Sequence, residues 1–448
     1  MKSMGFRGGI HPLDKKDLTK DLPIEDMPIP SRVVIPVVQH IGAPCKAIVS
    51  IGEDVKKGQK IGEGTSFVSA PVYASISGKV TAIAPFPHPS GTDILSVVIE
   101  SDGKDEWIDG LVEREKYLDS DAEELRKIVS EAGIVGLGGA TFPTHVKLSP
   151  PKDKTITDII LNGAECEPYL TSDYRIMLEM AEYVVGGLKI LMKILGVKRG
   201  YIAIEDNKPE AIDIMKGVVK GISGEKGLNI DVVELATKYP QGGEKQLIKS
   251  VLDREVPSGR LPMDVGVVVQ NVGTAASIYN AVRYGRPLID RVVTVTGLGI
   301  KRRANLRVRI GTMALDIIEE CGGFDGDIGK VIFGGPMMGR AQYTLNTPVV
   351  KGTSGILTLK REETVFNEGN ACIRCGKCVM ACPMGLMPNM ISMYGELNLF
   401  DEAEKYNPFD CIECGCCEYE CPSKRPTVHL IKYVKSMLLA KKKSKVGK

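Results

Sequence analysis

The chain has 448 residues, too many for one ordinary core, so two to four domains are expected. Hydrophobic residues make up 43% and charged ones 25%, and a net charge of +2 with only 5% aromatics argues against nucleic acid as the main partner. The N-terminal "MKSMGFRGGIHPLDKKD" has no apolar signal-peptide core, and no stretch approaches the ~18 uninterrupted apolar residues of a membrane span; "YVVGGLKILMKILGV" is broken by Lys189 and Lys193. A reducing cytoplasm, where thiolates stay available to iron, is the expected setting.

Within a first unit, 1–115, residues 33 to 100 read as short strands with turn punctuation: "RVVIPVV", "CKAIVSIGEDVKKGQKIG", "APVYASISGKVTAIA" and "DILSVVIES". The part "GEDVKKGQKIGEG…APVYASISGKV" resembles the barrel-sandwich hybrid of biotinyl and lipoyl carrier domains. Carriers present a modifiable lysine in the hairpin between the halves; here that stretch is "EGTSFVSAPV", without a lysine, so a structural domain is expected rather than a swinging arm.

From about 116 to 290 the pattern changes to alternating strands and helices, an α/β core around a largely buried sheet. "SDAEELRKIVSEAG" carries a Ser120/Asp121 start, acids in the first turn and Gly133 at its end, the marks of a helix. "TDIILNG", "RIMLEMAEYVVGGLKILMKILG", "GYIAIED", "PEAIDIMKGVVKGI", "NIDVVELA" and "QLIKSVL" follow. A further compact unit spans 291–362, from "RVVTVTG" through "LRVRIG", the helix "TMALDIIEECGG" and "KVIFGGPMMG" to "GILTLKR".

Residues 363–430 hold most of the cysteines: nine of twelve lie between 372 and 421. "CIRCGKCVMACP" and "CIECGCCEYECP" both contain C-x2-C-x2-C-x3-C-P, the duplicated bacterial-ferredoxin spacing for two [4Fe–4S] clusters. The fourth cysteine of each run crosses to the other cluster in that arrangement. Cys372, Cys375, Cys378 and Cys421 are therefore the expected ligands of one, and Cys411, Cys414, Cys417 and Cys382 of the other. Cys416 falls outside the register. Zinc knuckles do not suit a third cysteine two residues on, and a disulfide framework would spread its cysteines through a small secreted domain. The tail at 431–448 has seven lysines and no acid from Lys432 on. It reads either as a disordered solvated end or as a peripheral contact with anionic lipid or acidic partner loops.

"GIVGLGGATFPTHVKL", residues 133–148, is the second chemical signal. A dinucleotide fingerprint follows a strand and opens a helix, whereas this loop follows a helix and has Thr141 at the third glycine position. Its bare amides instead suit close approach by a phosphate and a flat ring. The run resembles the flavin and NADH loop of the flavoprotein subunit of respiratory complex I, at Gly133, Gly136, Gly138, Gly139, Ala140, Phe142, Pro143, Thr144 and Lys147. "NGAECEP" (162–168), "YPQGGEK" (239–245) and "QNVGT" (270–274) are similar to three further segments of that family, in its order.

The resemblance implies non-covalent FMN and NAD(H) as ligands. It implies Lys147 as the positive charge for phosphate or ring, and amides from Asn162, Gln270 and Asn271 for phosphate and ribityl hydroxyls. It implies Phe142 stacking near the nucleotide, and Glu167 and Glu244 lining the ribose and nicotinamide side in a catalytic role. Glu165, Gly242, Gly243 and Thr274 complete the expected binding set. Ala164 and Gly243 depart from that family's acids, so ring hydrogen bonding and flavin potential are expected to differ.

The order of a barrel-sandwich hybrid, a complex-I-like α/β flavin domain, a β-grasp ligand-binding unit and a two-cluster ferredoxin-like helical module resembles the C subunits of Rnf complexes, the membrane-bound, ion-translocating ferredoxin:NAD oxidoreductases. Membership implies a translocase/oxidoreductase subunit that exchanges electrons between NADH, FMN and two clusters. It implies a peripheral position on the cytoplasmic side of the inner membrane. It also implies an iron–sulfur subunit and integral membrane subunits as partners, with ferredoxin served indirectly. The alternatives are a cobalamin reductase of propanediol microcompartments, expected to carry the barrel-sandwich part elsewhere in its order, and an electron-relay scaffold without flavin.

Overall fold

Strands Asp158–Gly163, Arg199–Glu205, Asn229–Leu235 and Val267–Asn271 form one parallel sheet, and helices return the chain between them. Its spatial order places Asn229–Leu235 at one edge, then Arg199–Glu205 and Asp158–Gly163, with Val267–Asn271 at the other edge. This structure is a computed structural model, which describes residues 5–221, 227–364 and 369–446. The strands read as near-continuous apolar runs because both faces are covered, and Ile159, Ile160 and Leu161 are all fully buried. The order reverses between Asp158–Gly163 and Val267–Asn271, and ligands of open parallel sheets bind outside the carboxyl ends of strands at such a reversal.

Helix Ala122–Glu131 begins where the caps indicate: the Asp121 carboxylate accepts from the amides of Glu123 and Glu124. The long apolar run after residue 171 is two helices, Ser172–Glu179 and Ala181–Leu195, separated at Met180 (φ −131°). Gly187 is demanded by packing. Helix Ala181–Leu195 crosses Val272–Tyr284 so closely that a Cβ at Gly187 would run into the Ala275 carbonyl.

The barrel-sandwich unit pairs Arg32–Pro36, Asp93–Ser101, Gly78–Pro87 and Asp54–Val55 in one sheet, and Cys45–Ala47, Lys60–Gly64 and Val72–Tyr73 in another. The third unit is a mixed six-stranded sheet. One of its edges is Ile24–Asp26, parallel to Ala304–Arg309, so the N-terminal strap joins this distant sheet rather than the barrel whose sequence it precedes. The last unit is helical: Pro388–Glu396, Phe400–Glu404 and Cys416–Tyr419 pack against Thr427–Val446, and Lys377–Ala381 packs on Cys416–Tyr419 and Pro388–Glu396.

That last helix overturns the reading of the tail as disordered, up to residue 446. Ile431, Val434 and Leu438 are buried in the module's core, and Lys442 reaches Glu404 at 3.1 Å. The tail's last two residues, Gly447 and Lys448, lie outside the described residues. Among the described residues no helix is long and apolar enough to cross a membrane.

Candidate functional site

The glycine loop lies at the sheet's reversal. Gly136 N donates to Phe142 O (2.9 Å) and Thr141 N to Gly136 O (3.2 Å), a closed turn that leaves Gly138, Gly139 and Ala140 exposed. Gly139 has φ +104°, a left-handed conformation suited to glycine. Asn162 and Asn271 are paired neighbours toward the carboxyl ends of two adjacent strands. The Asn271 side chain caps helix Val272–Tyr284 by accepting from Gly273 N and Thr274 N, and it donates to Asp173 Oδ2 at 2.7 Å. Thr274 Oγ1 in turn accepts from Leu137 N at 2.8 Å, fastening the loop to that helix start.

Lys147 projects from the short turn Thr144–Lys147 and donates to Glu244 Oε1 (2.6 Å) and Val269 O (3.2 Å). Glu244 opens helix Glu244–Leu252, with Gly243 as its N-cap. Asn162 Nδ2 donates to Gly242 O at 2.8 Å, and Gly242 N donates to the Cys166 thiol. Lys147, Asn162, Gly242, Gly243, Glu244, Asn271, Thr274 and the glycine loop thus meet around one end of the sheet. Phe142 is half-buried in the loop.

Two of the expected residues have other partners. The Glu165 carboxylate accepts from the amides of Asp173 and Tyr174 at the start of helix Ser172–Glu179. Glu167 faces the β-grasp unit, where Met337 N (3.1 Å) and Met338 N (2.8 Å) donate to its carboxylate. Burial pushes Glu167 up to about 7, against the pull of those two amides and Lys16. Asp173 is likewise pushed up to about 7, first by burial and then by the Glu165 charge, while Arg291 opposes the shift.

The fit of a flavin rests on the donor set. The loop offers exposed amides, Lys147 a cation, and Gln270, buried at a strand end, has an Nε2 without a hydrogen-bond partner.

The eight in-register cysteines line two cavities. Cys372, Cys375, Cys378 and Cys421 surround one, whereas Cys382, Cys411, Cys414 and Cys417 surround the other. Cys416 lines neither; it is fully buried among Ile10, Tyr239, Ala381 and Cys414. Among the described residues no three candidate ligands converge on a point suited to a single metal ion, and four thiols around a cavity fit a cluster of finite size. Burial pushes the Cys411 thiol up to about 11, so a bound cation would be needed to hold it as the thiolate that ligates metal.

The second cavity abuts the glycine-loop site. Tyr239 Oη donates to Cys414 O (2.8 Å), Gln246 Nε2 reaches Met384 Sδ (3.1 Å), and Gly9 N of the N-terminal strap donates to Ala381 O (2.9 Å). The first cavity lies farther out, with Cys375 exposed. Sequence reasoning missed Asp173, Arg291 and Lys16, which act on backbone or on other side chains; no local motif marks them.

Four family models match: the Nuo51 FMN-binding domain at residues 129–280, the RnfC barrel sandwich hybrid domain at 4–104, the SLBB domain at 292–341 and a 4Fe-4S dicluster domain at 364–422. The chain is 53% identical over 432 residues to the C subunit of the proton-translocating ferredoxin:NAD(+) oxidoreductase complex of Clostridium ljungdahlii, covering 96% of this chain and 93% of that one. It is 50% identical over 438 residues to the C subunit of the Na(+)-translocating complex of Acetobacterium woodii, covering 98% of each. The C subunit of the ion-translocating oxidoreductase complex of Rhodobacter capsulatus is 45% identical over 390 residues, 87% of this chain and 74% of that one. Among solved structures, an NAD+-reducing [NiFe]-hydrogenase in the H2-reduced state shares the fold, with a TM-score of 0.52 and 16% identity over 72% of this chain and 65% of that one.

Proposed function

The chain belongs to the family of C subunits of ion-translocating ferredoxin:NAD(+) oxidoreductase complexes, and on that premise we propose that it is the subunit where NAD(H) meets FMN and two [4Fe–4S] clusters. FMN, when bound, converts the two-electron chemistry of nicotinamide into the one-electron steps of the clusters.

The observation that carries this reading is the contact between the two sites: the loop 239–246 touches the glycine-loop site through Gly242 and Glu244, and the cysteine module through Tyr239 and Gln246. Lys147 and the loop amides would hold the flavin phosphate or ring, Asn162, Gln270 and Asn271 its polar groups, and Glu244 with Phe142 the nucleotide side. Glu167, committed to the Met337 and Met338 amides, would set the wall of that pocket where the β-grasp unit closes on it.

The cluster ligated by Cys382, Cys411, Cys414 and Cys417 would be the one nearer the flavin. The cluster ligated by Cys372, Cys375, Cys378 and Cys421, with its exposed Cys375, would exchange electrons with an iron–sulfur partner subunit and, indirectly, with ferredoxin. Ion movement falls to integral membrane subunits. The peripheral position on the cytoplasmic face of the inner membrane belongs to the same reading.

Anaerobically purified protein should carry about eight irons and one non-covalent FMN per chain and reduce a one-electron acceptor with NADH. Tightly bound zinc in place of iron, or a protein that retains no FMN and is not reduced by NADH, would overturn it.

A further inference from the structure

Arg291 stands at the start of the β-grasp unit, yet its buried guanidinium points under the glycine loop of the neighbouring domain. It donates to Leu137 O (3.1 Å) and Lys351 O (2.6 Å). Leu137 N is held from the other side by Thr274 Oγ1 (2.8 Å). Both peptide groups that meet at Leu137 are therefore fixed. In a planar trans peptide the carbonyl and the following N–H point in opposite directions. Drawing Leu137 O inward toward Arg291 therefore turns Gly138 N–H outward, toward the rim where Gly138, Gly139 and Ala140 are exposed.

The same unit holds the loop's entrance. Lys351 Nζ, fully buried, donates to Gly133 O and to Pro71 O of the barrel-sandwich unit, both at 2.7 Å. On the far side of the network Asp173 accepts from Asn271 Nδ2 (2.7 Å), whose Oδ1 accepts from Gly273 N (2.8 Å) and Thr274 N (3.2 Å).

Resting on the flavin reading above, we propose that Arg291 is a positioning residue for the cofactor site: by holding Leu137 O it presents the Gly138 amide to an anionic or electron-rich group of the flavin. The β-grasp unit thereby acts as a brace for the neighbouring domain's cofactor loop. The buried positive charge beneath the loop also favours a flavin that gains negative charge on reduction.

The test uses the full chain with its clusters, deflavinated and titrated with FMN by fluorescence quenching, followed by redox titration of the flavin. Arg291→Met should weaken FMN binding about tenfold, the ~1.4 kcal/mol of one well-placed hydrogen bond. It should also shift the flavin midpoint to lower potential while the iron content stays at the wild-type value. Arg291→Lys keeps the charge, but its shorter side chain stops about one bond length short of the guanidinium nitrogen that serves both carbonyls. It should bind FMN about threefold more weakly and hold the midpoint near the wild-type value. Arg302→Met, on the surface of the same unit, should leave all three readouts unchanged. Wild-type affinity and midpoint in folded Arg291→Met would overturn the proposal; if that variant does not fold, wild-type affinity in Arg291→Lys would do so. A wild-type chain that binds no FMN at all would instead overturn the functional reading.

Discussion

Cys421→Ser tests the assignment of the clusters most sharply, because its effect should appear far along the chain. Cys421 follows Cys417 by four residues, but its thiol lines the cavity of Cys372, Cys375 and Cys378. Cys417 lines the other cavity with Cys382, Cys411 and Cys414. Losing one of four ligands should remove or degrade one cluster and spare the other, so iron should fall from about eight per chain toward about four. Iron analysis gives the count, and EPR of the dithionite-reduced protein should lose the interaction between two paramagnets and keep the signal of one.

Cys416→Ser is the matched control. Cys416 is 0% exposed, and its thiol donates weakly to the Tyr239 carbonyl at 3.9 Å. Serine there costs roughly 1–2 kcal/mol for a hydroxyl in an apolar pocket, but both clusters should assemble. A shifted midpoint with full iron is consistent with its place beside the cavity of Cys414. Iron loss in Cys416→Ser with tolerance of Cys417→Ser, or a Cys421→Ser protein that loses its sequence neighbours' cluster, would refute the reasoning.

Two further outcomes follow from the glycine-loop site. Lys147→Ala removes a cation that bonds Glu244 and Val269 O, and it should weaken FMN or NADH binding about 10- to 100-fold, the ~1.5–3 kcal/mol of a charge-assisted bond, with iron content intact; unchanged FMN retention and NADH oxidation would refute the role. Glu167, held up to about 7 against an ordinary 4.5, keeps its proton in the folded protein where the unfolded chain has lost it, so its contribution to stability should fall as pH rises from about 4.5 to about 7, by on the order of 3 kcal/mol at most. Glu167→Gln cannot titrate, so the thermal midpoint of wild type minus that of the variant should decline across this window; a flat difference would show that the carboxyl is not perturbed.

Local chemistry determined a large part of this protein from sequence alone. Apolar runs bounded by caps and glycines marked the parallel sheet and helices such as Ala122–Glu131, and a triple spacing repeated twice pointed to two clusters, because ligand geometry constrains neighbouring residues directly. The glycine loop was legible for the same reason: a close approach to backbone needs residues without side chains, wherever the loop sits. The tail helix was also partly legible. Ile431, Val434 and Leu438 fall at helical spacing, but the lysines between them drew the reading toward solvent. What tertiary structure alone decided is which separate pieces share a wall. Arg291 under Leu137, Glu167 on the Met337 and Met338 amides, Tyr239 on the Cys414 carbonyl and the strand Ile24–Asp26 beside Ala304–Arg309 are all joined through backbone groups. Every residue but proline carries the same amide and every residue the same carbonyl, so such bonds leave no side-chain pattern to read, and only the folded path of the chain selects them.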